Sequence, residues 1–66
     1  MNYYDLYYTR YLQADEQARA DSKRHWLQCH EANVATGRDD LTIFSAQILA
    51  RIALADEYLR THIEKA

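Results

Sequence analysis

Sixty-six residues with a net charge of −2, one Gly, no Pro and one Cys make room for a single domain and no second one. So little turn chemistry excludes a many-stranded β-fold, and no apolar run approaches the roughly 20 residues of a bilayer-spanning helix. The expected class is therefore all-α. The start, Met1-Asn2-Tyr3-Tyr4-Asp5, lacks the basic and apolar regions of a secretory leader, and a lone Cys cannot staple the chain to itself, so the cytoplasm is the expected address.

Asn2 is the expected N-cap of a first helix over 3–35, with Asp5 placing a carboxylate near the positive end of the helix dipole. Five of the six tyrosines, Tyr3, Tyr4, Tyr7, Tyr8 and Tyr11, fall within its first nine positions. Tyr4, Tyr7 and Tyr11 head a stripe at spacings of three and four that continues through Ala14, Ala18, Ser22, His25, Cys29 and Ala32. Small residues at this spacing predict close approach of a facing helix. A rival inner face is formed by Leu12, Leu27 and Val34, and the pattern leaves the choice open. From Gln13 to Arg24 there is no large apolar side chain.

The only internal cluster of helix-stop and helix-start residues is Thr36-Gly37-Arg38-Asp39-Asp40. Gly37 suits the left-handed position after a helix end, and Asp39 or Asp40 the start of the next. A turn at 36–40 makes the helices antiparallel. The second helix, 41–64, carries the strongest stripe: Leu41, Phe44, Ile48, Ile52, Ala55, Leu59 and Ile63. These are the expected core and dimer residues, against whose C-terminal end (Leu59, Ile63) Tyr4, Tyr7 and Tyr11 should pack. Ile43, Leu49, Leu54 and Tyr58 widen the arc beyond what one helix covers. Asp56 to Arg60 and Arg60 to Glu64 are expected as i,i+4 ion pairs on the outer face. A lone two-helix hairpin of this size sits near zero stability. The predicted architecture is thus an antiparallel two-helix hairpin dimerising into a four-helix bundle.

No catalytic constellation, cofactor motif or metal set is expected. His25 and Cys29 share a helix face, and two copies would supply four N/S ligands, but the spacing better suits a small buried hydrophobic Cys29 beside a boundary His25 hydrogen-bonded to a neighbour. Tyrosines with an adjacent cation can stack on single-stranded nucleic acid, yet the acidic balance (pI about 5.8) and Asp5 among the rings argue against direct nucleic-acid binding. Tyr3, Tyr7, Tyr8, Arg10 and Trp26 are instead the expected contacts to a protein partner, because Tyr, Trp and Arg dominate interface energies. Trp26 either caps the core or protrudes.

In its whole-chain character, two helices joined at Thr36-Gly37-Arg38-Asp39 with an amphipathic second helix, the sequence resembles the small bacteriophage-encoded inhibitors of host proteins, and more narrowly the helical-hairpin quorum-sensing anti-activators. The resemblance implies a homodimer in the cytoplasm of a host bacterium that sequesters a host protein, either a quorum-sensing transcription regulator or a motor ATPase. Two other readings stand beside it. One is an anti-CRISPR-type inhibitor, with Asp15, Glu16, Asp21, Glu31, Asp39 and Asp40 imitating nucleic acid; the other is a purely structural or assembly bundle.

Overall fold

The chain folds into three α-helices, as seen in a computed structural model that describes residues 2–64 and their side chains through residue 62. No strand occurs among the described residues. Helix α1 spans Tyr3–Gln13, α2 Glu16–Ala35 and α3 Asp39–Leu59, and α3 runs on into a wider π-helical turn, Arg60–Glu64. Asn2 caps α1 as expected, its side-chain oxygen accepting from the Asp5 N–H at 2.9 Å.

The predicted helix over 3–35 is broken. Ala14 and Asp15 are both extended (ψ 156° and 173°), and the Asp15 carboxylate accepts from the Ala18 N–H at 2.8 Å, so Asp15 is the N-cap of α2. The Arg19 guanidinium donates to the carbonyl of Ala14, which the helix end leaves without a partner. The physical reason for the break lies in length and burial. An unbroken helix over 3–35 would reach about 50 Å against about 36 Å for its expected partner, stranding the tyrosines in water. Folding back at Ala14 lays them along α3 instead.

The chain consequently runs up, down and up. Phe44 of α3 lies beside Tyr3 and Tyr4, and Tyr11 reaches Asp56, so α1 runs in the same direction as α3. Contacts from Asn33 to Leu41, His30 to Ser45 and Lys23 to Asp56 set α2 antiparallel to it. Tyr4 therefore packs at Phe44 and Arg51, far from the expected contact with the C-terminal end of α3. Tyr11 alone keeps the expected neighbourhood.

The second turn follows the sequence closely. Gly37 adopts φ 70°, the Arg38 N–H donates to the Asn33 carbonyl and the Gly37 N–H to that of Val34, which closes α2 with paired carbonyls. A Cβ on Gly37 would meet nothing within 4 Å, so the backbone angle alone calls for glycine. Asp39 and Asp40 occupy the first turn of α3, where the dipole favours them, while Arg38 holds the cap position without a side-chain bond. The helix thus starts two residues before the predicted boundary.

The core consists of Tyr11, Ile48, Ile52, Ala55 and Leu59, with buried Ser45 beside them. Ile48, Ile52, Ala55 and Leu59 belong to the predicted stripe. Phe44 is half-buried, Leu41 is exposed, and the side chain of Ile63 lies outside the described residues. Because Ile48, Ile52 and Leu59 are covered by α1 and α2 of their own chain, these residues are not free to face a second copy. α2 buries none of its residues fully. Of the predicted small stripe, Ser22 and Cys29 are half-buried while Ala18, His25 and Ala32 are exposed, and Leu27 and Val34 of its rival are exposed as well. The face that α2 turns to α3 is built around Trp26, His30 and Asn33.

Candidate protein-binding surface

The N-terminal tyrosines divide into an inner and an outer set. Tyr11 is buried, and its hydroxyl donates to Asp56 Oδ1 at 2.7 Å. The same carboxylate takes an ion pair from Lys23 Nζ at 2.6 Å. Burial, the hydrogen bond to Asp56 and the negative charge there push the Tyr11 hydroxyl well above its ordinary pKa of 10.0. Burial by itself would raise the Asp56 carboxyl, but the hydrogen bonds from Lys23 and Tyr11 and the positive charges of Lys23 and Arg19 outweigh it and hold the group below its ordinary 3.8. These residues, with Arg19 and Leu59, line a cleft of about 350 Å³ where the three helices meet.

Aromatic side chains continue this anchor toward the other end of α1. Trp26 makes edge contacts with Tyr7 at 6.0 Å and Phe44 at 5.7 Å between ring centres, and Phe44 touches Tyr3 and Tyr4. The Arg51 guanidinium sits 5.5 Å over the Tyr4 ring. Trp26 therefore caps the core half-buried. Tyr7 and Tyr8 are half-buried against the same core, and the Tyr7 hydroxyl is buried without a hydrogen-bond partner.

Of the five expected partner contacts, Tyr3 and Arg10 are the exposed ones. They lie seven residues apart, on one side of α1, and Leu6 falls between them. Tyr3 is 52% and Leu6 40% exposed. The structure thus assembles an outward strip of Tyr3, Leu6 and Arg10, which leaves Tyr7, Tyr8 and Trp26 as its supporting layer. Leu6 is missing from the sequence reading, although its place three residues after Tyr3 was the available signal.

Other singled-out groups have local partners. The Cys29 thiol lies 3.5 Å from His25 Nε2. His30 turns away from both and shares a 2.8 Å hydrogen bond with Ser45, whose hydroxyl also contacts Asn33 and donates to the Thr42 carbonyl. No group of three or more His, Cys, Asp or Glu side chains is placed to hold a metal ion among the described residues. Asp56 points to Tyr11 and Lys23, while Arg60 pairs with Glu57, one turn back; this replaces the expected Asp56–Arg60 pair. The side chain of Glu64 lies outside the described residues. No described helix is long and apolar enough to cross a membrane. Comparison with family models, with curated proteins and with solved structures finds no match for this chain.

Proposed function

We propose that this chain works by binding another protein and holding it out of action, with the outer strip of α1 as the contact surface. The observation that carries the reading is the exposure of Tyr3, Leu6 and Arg10 side by side on a helix whose opposite face is fixed to the core. Tyr and Arg are the side chains that most often dominate binding energy. Anchorage of α1 through Tyr11 and Asp56 holds the strip in place before a partner arrives, which lowers the ordering cost of association. The likeness to quorum-sensing anti-activators puts a bacterial transcription regulator of that type, or a motor ATPase of a host, first among partners. In this reading the chain acts as a homodimer, with the α2–α3 hairpins of two copies making a four-helix centre and α1 outside it.

Titration calorimetry of the full chain against a purified quorum-sensing regulator and a purified pilus-assembly ATPase tests the proposal. Binding to one of them, weakened at least about tenfold by Leu6→Ala or Arg10→Ala with Tm nearly unchanged, is the expected result. Failure to bind either, or binding that both variants leave intact, refutes it.

A further inference from the structure

Helix α3 carries a second apolar face, turned away from its core. Ile43 and Leu54 stand on it 62% and 57% exposed, with Ala46, Ala50 and Ala53, all exposed, along the same side. Positions 43, 46, 50 and 53 repeat at three and four, so they form one apolar seam opposite Ile48, Ile52 and Ala55, bounded at the next position of the repeat by exposed Glu57. Ala53 also lines, with Leu27 and Leu49, a groove of about 270 Å³ between α2 and α3. Seam and groove are one surface.

We propose that the occupant of this surface is a second copy of the chain, its α3 crossing antiparallel to the first with the two-fold axis at Ala50. The inference rests on the paired reading given above and assigns its face and direction. Area is the first argument. Ile43 and Leu54, with three exposed alanines between and beside them, give this face the large apolar side chains that the core of a standard interface needs, where each partner buries roughly 800 Å². Charge is the second. Asp40 lies ten residues before Ala50 and Arg60 ten residues after it, about 15 Å along the helix in each direction. Antiparallel copies therefore bring Asp39 and Asp40 of each level with Arg60 of the other, whose guanidinium has N–H donors beyond those given to Glu57. Parallel copies would set the acidic turns against each other. Shape is the third, since the alanines let the helices approach closely while Leu54 of one copy comes to lie over Ala46 of the other.

Sedimentation velocity of the full chain tests this together with two variants. Wild type should sediment at twice 7.8 kDa. Ala50→Arg, at a position exposed in the single chain, should raise the dissociation constant at least about 100-fold with helical circular dichroism unchanged. Ala50→Cys in a Cys29→Ser background should oxidise to a disulfide-linked dimer, whereas Ala35→Cys in the same background should not. A wild-type monomer overturns both the pairing and its face. A dimer that Ala50→Arg leaves intact keeps the pairing and overturns the α3 seam. Monomers that capture an unrelated protein on this face overturn the choice of occupant.

Discussion

Asp56 takes a hydrogen bond from Tyr11 of α1 and an ion pair from Lys23 of α2, so one carboxylate on α3 ties together all three helices. Its depressed pKa means that the folded state favours the charged form. The resulting stability is present above the ordinary carboxyl value of 3.8 and is lost as pH falls through the folded value below it. Tyr11 behaves in the opposite sense: its pKa is raised from 10.0, so its contribution is complete below that pH and is lost on the alkaline side as the unfolded hydroxyl ionises. Melting temperature should accordingly be level through neutrality and fall at both extremes. Asp56→Asn should cost about 1 kcal/mol at neutral pH, a modest figure because both ion-pair partners are partly solvated. It should also flatten the acid limb of the profile. An acid limb as steep in the variant as in wild type would show that other carboxylates control it.

At the scale of the element, the decisive feature is the two-residue break between α1 and α2. Asp15→Ala removes the side-chain acceptor that meets the Ala18 N–H and should cost about 1 kcal/mol. It also removes a residue that favours capping over the helix interior, so a fraction of the chain should straighten through position 15 and lift α1 from α3. Red-shifted Trp26 fluorescence with unchanged or increased helicity is the expected signature, because Tyr7 and Phe44 cover the indole. An unshifted spectrum would mean that burial of the tyrosines enforces the break without the cap. The second turn was legible because Gly37 is the one glycine and stands between two strongly patterned segments. The α3 core was legible because Ile48, Ile52, Ala55 and Leu59 keep one helical phase throughout. The break was not legible, since Asp15 is one of several charges between Gln13 and Arg24 and neither Gly nor Pro marks the spot. Without the break, the placement of Tyr4 near Phe44 does not follow from spacing. Tyr3 and Arg10 could be selected from the sequence, but their separation from Tyr7 and Tyr8 depends on where α3 lies.

Over the whole molecule, two kinds of helix interface meet on α3. Toward α1 it is largely aromatic and aliphatic, through Tyr4, Tyr11, Phe44 and the buried isoleucines. Toward α2 it is substantially polar, with Asn33, His30 and Lys23 bonded to the Leu41 carbonyl, Ser45 and Asp56. The second interface adds the Trp26 ring to the core and fixes a register, since a slip of one turn would leave His30 and Asn33 without their partners on α3. The first supplies much of the apolar cover, and it comes from an element joined to the others only through Ala14 and Asp15.

The bond from Tyr11 to Asp56 spans 45 residues of chain, whereas the bonds that join Asn33 and His30 to α3 span 8 to 15. Short loops close at smaller entropic cost, so the α2–α3 hairpin should assemble first and α1 should dock last. In stopped-flow experiments Asn33→Ala should then slow refolding, while Tyr11→Phe should chiefly speed unfolding. The reverse pattern would make α1 part of the nucleus. The helix that presents the outer strip of Tyr3, Leu6 and Arg10 is on this account the last to arrive and the first to leave, and the lifetime of the strip is set by an unfolding rate.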